Sequence, residues 1–289
     1  MHLQYARVDA LLTASCSSDA PSSLPLVILS CTPLRAQESV KNMPGNADPA
    51  FEVSTIKPAN PEDPGKDFGF EGRIFYARNY NVEDLIALGY GLHANQLLGE
   101  PRWFATALFD IDGIPDVAGR PSQQQKFAMI QKLLADRFQL AFHYEKRELP
   151  IYAITVAKDG PTLAPSATDP DEPGRFQWQH RLGDLRVTNM TIAEFVVWFQ
   201  KTVTDKPLID RTGLTGRYDF TLTWTPGESE FPQFRRTGGF NPTPTSTDNS
   251  KAPPGLYKAF EEQLGLKLQS MKGPVNIMVI DHAEKPSPN

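Results

Sequence analysis

Two stretches of this chain, 110 residues apart, carry the same pattern of side chains, and that repetition restricts the fold more than any other feature. At a constant offset of 110, Phe75, Ala77, Asn79, Tyr80, Val82, Leu85 and Ile86 match Leu185, Val187, Asn189, Met190, Ile192, Phe195 and Val196. At an offset of 109, Phe109-Asp110-Ile111 matches Tyr218-Asp219-Phe220. One position of slippage is what a copied unit with an altered loop would leave. Two ordinary α+β domains that share helix-capping rules are the alternative, but capping does not explain the matched Asp110 and Asp219 strands.

The matched segments read as helices with defined starts. Val82, Leu85, Ile86 and Tyr90 fall on one helical face, with Asn81 as N-cap and Asp84 three residues on. Ile192, Phe195, Val196 and Phe199 repeat the face behind a Thr191-x-x-Glu194 capping box. A second helix follows in each unit: Ser122–Arg137, opened by Ser122-x-x-Gln125, and Leu256–Leu264, stopped by Gly265. Alternating strands come next, and then returning strands that open at Pro150 and Pro274. The expected class is α+β: two β-α-β-α-β-β units, an internal duplication with small mixed or antiparallel sheets, each packed by two helices. The units span 51–160 and 175–289, joined by a linker at 161–174. Residues 226–255, rich in Pro, Gly and Thr, read as a mobile insert.

Residues 1–37 read as a signal or leader segment, and 38–50 as a polar linker. The apolar run Leu24–Leu34 has the length of a secretory h-region, and Ala36 offers a small residue for cleavage. A disordered cytosolic tail is the alternative. Both cysteines, Cys16 and Cys31, precede that cleavage point, so a processed chain would carry neither thiol nor disulfide. The expected location is secreted or periplasmic. A net charge of −5 disfavours nucleic acid as partner, and no run approaches the roughly 18 apolar residues of a membrane span.

Chemistry is sparse. There is no Gly-x-Ser-x-Gly, no His-Glu-x-x-His and no acidic calcium loop. No two of the five histidines have metal-ligand spacing, so neither a metal nor a cofactor is expected. His143 and Glu145 share a strand face and could form a base–acid pair; otherwise His143 is a solvated strand residue. Asp110 and Asp112 also share a face, as an acid–base pair or as structural hydrogen-bond acceptors, and the matching Asp219 favours the latter. His93 falls at a helix end, where a cation suits the dipole. Phe176 and Trp178 share a face that is either core or a ligand platform. Arg235 and Arg236, with Phe231, Phe234 and Phe240, are a candidate contact patch within the insert, with disorder as the alternative.

Several blocks occur together: Phe51–Pro58, Gly99–Trp103, Leu133–Phe138, the run Asp210-Arg211-Thr212-Gly213-Leu214-Thr215-Gly216-Arg217-Tyr218-Asp219-Phe220, and Ile280–Pro286. In order and spacing these resemble the soil-associated domain family of exported acidobacterial proteins. The resemblance runs from Phe51 to the C-terminus. It implies export and a family of unknown function, sometimes fused behind a membrane metallopeptidase of the antibiotic-sensor type, and it supplies no catalytic residues to carry over. No such peptidase segment is present in this sequence. The expected function is therefore an exported, non-catalytic binding or interaction module, with a protein or peptide as a candidate partner and envelope sensing as a candidate role. The alternative is a hydrolase acting on an envelope or extracellular polymer through Asp110, Asp112, His143 or Glu145.

Overall fold

The computed structural model describes residues 41–287, apart from 61, 63, 64 and 233–252. The expected leader with Cys16 and Cys31, most of the expected insert, and Arg235 and Arg236 lie outside these residues.

Short-range chemistry sets the helices. Helix α1 (Val82–Tyr90) starts where the Asn81 side chain accepts the Asp84 N–H at 2.8 Å. A four-residue turn of helix, α2 (Trp103–Thr106), precedes α3 (Gln123–Phe138), which opens with a reciprocal Ser122–Gln125 capping box. The Thr191–Glu194 box does the same for α4 (Ile192–Thr202). Helix α5 (Leu256–Leu264) ends at Gly265 with φ +62°, where a Cβ would collide with the Gly160 carbonyl oxygen. Only glycine fits there.

Among the described residues the strands build three four-stranded sheets. In the first, β1 (Phe51–Pro58), β5 (Phe109–Pro115), β3 (Ile74–Tyr80) and β2 (Asp67–Glu71) lie side by side in that order. Another has the order β7 (Ala164–Pro165), β11 (Tyr218–Thr223), β9 (Asp184–Met190) and β8 (Arg175–Trp178). Taken in chain order, the four strands of each of these sheets lie first, fourth, third, second. All neighbours in both sheets are antiparallel.

The central sheet joins the two parts. Strand β6 (Ala141–Val156) runs antiparallel to β12 (Leu266–His282), in register from Phe142↔Ile280 to Val156↔Leu266. Short β4 (Leu97–Leu98) pairs with β12, and short β10 (Leu208–Asp210) pairs with β6, both parallel. Each part thus lends its short strand to the long strand of the other. Two strands were expected after each second helix; the structure has one long strand instead, with Pro150 and Pro274 in the interior. The backbone explains why they are tolerated. The Tyr152 N–H donates to Pro207 on the β10 side, so the Pro150 nitrogen faces that side too, beyond the three residues that β10 covers. Likewise the Asn276 carbonyl accepts from Gln96 on the β4 side, where Pro274 lies past the end of β4.

Two apolar cores flank this sheet. The first gathers Phe75, Leu85, Ile86, Phe104, Ile130 and Phe138, closed by Met278 and Ile280 from β12. The second gathers Leu185, Phe195, Phe199, Trp224 and Phe260, closed by Tyr152 and Ile154 from β6. Trp198 on α4 packs against both. Residues 41–50, a linker by composition, lie along α3: Gln125 donates to the carbonyls of Pro44 and Ala47, and Lys132 to those of Asp48 and Pro49. At the other predicted linker, Ala164–Pro165 forms β7. Phe231, expected in the mobile insert, is fully buried and stacks on Trp224 at 5.9 Å.

Candidate functional site

The exchange of short strands brings the C-terminal turn of α4 beside α1, and a cleft of about 510 Å³ opens between them. Its walls come from both parts of the chain: Lys66, Asp84, His93 and Asn95 from the first, and Lys201 and Asp205 from the second. A neighbouring hollow of about 410 Å³ shares Asn95 and Asp205 with it.

Hydrogen bonds across the seam hold the walls in place. The Gln200 side chain donates to the Gly91 carbonyl at 2.7 Å and accepts the Leu208 N–H at 3.1 Å. Asn95 donates to the Asp205 carbonyl at 3.0 Å, and the Tyr152 hydroxyl donates to the Asp205 carboxylate at 3.1 Å. Gln200 is buried, so losing either bond would strand a polar group away from water.

His93 is part of the same seam and corrects the sequence reading of a cation at a helix end. It is buried and caps the turn Ala94–Gln96 from its N-terminal side. Its Nδ1 accepts the Asn95 N–H at 3.1 Å, which leaves the hydrogen on Nε2, 3.2 Å from the Thr204 carbonyl oxygen. The ring is therefore neutral. Burial lowers its pKa from 6.5, against the opposing pull of the Thr204 carbonyl and Asp205. With the folded value depressed, the unfolded chain binds this proton first, so the stability tied to the neutral ring is lost as pH falls below about 6.5. Exposed His143 acts with the opposite sign, its pKa being raised, and its contribution is lost as pH rises through the folded value. The expected result is a steeper loss of melting temperature from pH 7.5 to 5.5 in the wild type than in His93→Gln; parallel slopes would refute the assignment.

Charge concentrates on the opposite wall. Lys66 pairs with Asp84, a buried carboxylate on α1. The ammonium groups of Lys66 and Lys201 lie 5.0 Å and 4.9 Å from the centre of the same Tyr80 ring. Lys201 lines the cleft, and its Nζ is buried. Burial pushes this amine down to about 8; Asp84 opposes the shift and Lys66 adds to it. Burial likewise raises the Tyr80 phenol. Perturbed groups that converge on a cavity from several elements mark a functional site better than exposed charges do.

The candidate catalytic and platform residues singled out from sequence lie elsewhere. Asp110 accepts the Asn79 N–H at 3.0 Å, and Asp219 accepts that of Asn189 at 2.7 Å. Asp112 pairs with Arg78 on the outer face of the first sheet. His143 does meet Glu145, at 3.5 Å, and its Nδ1 lies 2.8 Å from Asp281, whose hydrogen bond is the main cause of its raised pKa. Glu145 is bound in turn by Arg147 at 2.7 Å and held below its ordinary value, mostly by that contact. Among the described residues no hydrogen bond links the Asp110–Asp112 pair to His143–Glu145; they stand on different sheets. Phe176 and Trp178 pack against the second core, with ring centres 5.6 Å apart.

Sequence reasoning missed Lys66, Asp84 and Lys201 as site residues. One signal was present: Glu194, Trp198 and Lys201 form a single stripe along α4, and an aromatic there needs a second surface to cover it. Among the described residues no cluster of three His, Cys, Asp or Glu is placed to hold a metal, and no helix is long and apolar enough to cross a membrane. No curated protein and no solved structure matches this sequence. Residues 83–283 match the family described as "Protein of unknown function (DUF3738)", and the chain belongs to that family.

Proposed function

We propose that this protein is an exported binding module that takes a small polar ligand in the cleft between α1 and α4. The observation that carries this reading is the convergence there of Lys66, Asp84, His93 and Asn95 with Lys201 and Asp205. Export is supported by the apolar run at Leu24–Leu34 with Ala36 behind it; mass spectrometry of the N-terminus in the native host tests it, and an intact Met1 would refute it. Internal duplication is supported by the parallel strand orders and by the two Asn–Asp pairs at Asn79–Asp110 and Asn189–Asp219.

A thermal-shift screen of small polar metabolites tests the cleft. Ligands found this way are expected to lose at least about tenfold in affinity with Lys201→Met, the size of one lost charge-assisted contact. They should bind His143→Ala unchanged. Binding indifferent to Lys201→Met would place the ligand elsewhere. The Asp281–His143–Glu145 contact supports the second reading, a hydrolase acting on an envelope or extracellular polymer. Turnover of a wall-derived substrate that disappears in a folded His143→Ala variant would favour that reading over the first.

A further inference from the structure

We propose, resting on the cleft as the ligand site, that Lys201 is its reactive amine and that the ligand is a small carbonyl compound, an aldehyde or a 2-oxo acid, captured as an imine on Nζ. Lysine becomes a nucleophile when it is desolvated and when a second cation sits near it. Lys201 meets both conditions. Its Nζ is buried against the Tyr80 ring, and Lys66 approaches the same ring. With its pKa down to about 8, roughly half of the amine is uncharged at pH 8, against well under a hundredth for an ordinary lysine.

The surroundings fit the chemistry of the step. The Nζ lone pair adds to the carbonyl carbon as the C=O π bond breaks, and the oxygen takes up a proton. The nitrogen gives up a proton to Asp84 or to water, leaving a neutral carbinolamine. Loss of the hydroxyl as water then forms C=N, so that one amine and one carbonyl give one imine and one water. No oxidant or reductant is consumed. For a 2-oxo acid, the carboxylate adds an anion beside the two lysines that line the cleft, Lys66 and Lys201.

The chain contains its own comparison. Lys126 on α3 is also pushed down to about 8 by burial, but it lies over the Phe70 ring, away from the cleft. Lys258 on α5 is an exposed lysine with its side chain 69% accessible. The experiment treats the full chain with glyoxylate at pH 8, reduces with borohydride, and maps the secondary amines by peptide mass spectrometry. The expected result is labelling at Lys201 at least about tenfold above both Lys126 and Lys258, and none at position 201 in Lys201→Arg. Label on Lys126 and Lys258 with Lys201 bare would overturn the proposal. Side-chain amide signals of Asn95 and Gln200, followed by NMR with glyoxylate and no reductant, separate the two ideas. Shifts there without an adduct on Lys201 refute the imine and leave the binding cleft standing; neither shifts nor adduct refutes the imine and counts against the cleft as well.

Discussion

Replacing Asn189 with alanine is expected to destabilise the protein by about 3 kcal/mol, far more than a polar residue at the end of a strand would suggest. Asn189 sits at φ +53°, a left-handed conformation that asparagine tolerates better than alanine does. Both amide hydrogens are used, on the carbonyls of Asp169 and Glu172 at 2.9 and 2.7 Å, and its own N–H is held by Asp219. The variant loses about 1 kcal/mol to backbone strain and about 1 kcal/mol for each hydrogen bond removed. Asn189→Gly isolates these effects, because it accepts the backbone angle and loses only the side-chain bonds; it should recover about 1 kcal/mol. Urea denaturation with an unchanged slope is the measurement. Equal losses in the two variants would show that the backbone angle carries no strain.

Phe199→Ala should have the largest effect, about 3–5 kcal/mol. Phe199 is fully buried, with Phe195, Phe260 and Trp224 ring centres at 4.9, 5.5 and 5.9 Å. Close packing on several sides gives the surrounding rings little room to collapse into the space left by the deleted ring. Val53→Ala, at a side chain 54% exposed, is the control and should stay within about 0.5 kcal/mol of the wild type. A loss below about 1.5 kcal/mol at Phe199 would mean that the second core repacks freely. Because Gln200 and Lys201 follow directly on α4, the same variant should weaken whatever the cleft binds.

What could be read from the sequence was local. Asn81, Ser122 and Thr191 start their helices as their side chains dictate, because an N-cap needs only partners two or three residues away. Gly265 stops α5 for an equally local reason. The Asp110–Asp219 match was also visible, since both acids hold the N–H of an asparagine in the same unusual conformation. The β4 and β10 strands were not visible, being two and three residues long and defined by partners far along the chain. The cleft was hidden for the same reason. In sequence Lys201 is one more polar residue in a last helical turn, where a cation is unremarkable. Its unusual state arises only when the amine is buried beside the Tyr80 ring at the end of β3, with Lys66 nearby. His93 was misread likewise, because Thr204, whose carbonyl faces its Nε2 in the buried seam, is 111 residues away.

The crossed pairing of short and long strands has a consequence for how the molecule is made. Gln96 reaches its partner Asn276 across 180 residues. On a ribosome, β4 emerges long before β12 exists, and β6 lacks its longest neighbour until the same late moment. The early part can assemble its outer sheet and helices, yet its core stays open where Met278 and Ile280 belong. Closure therefore waits for β12, and until then an unzipped sixteen-residue strand is available to any other extended chain nearby.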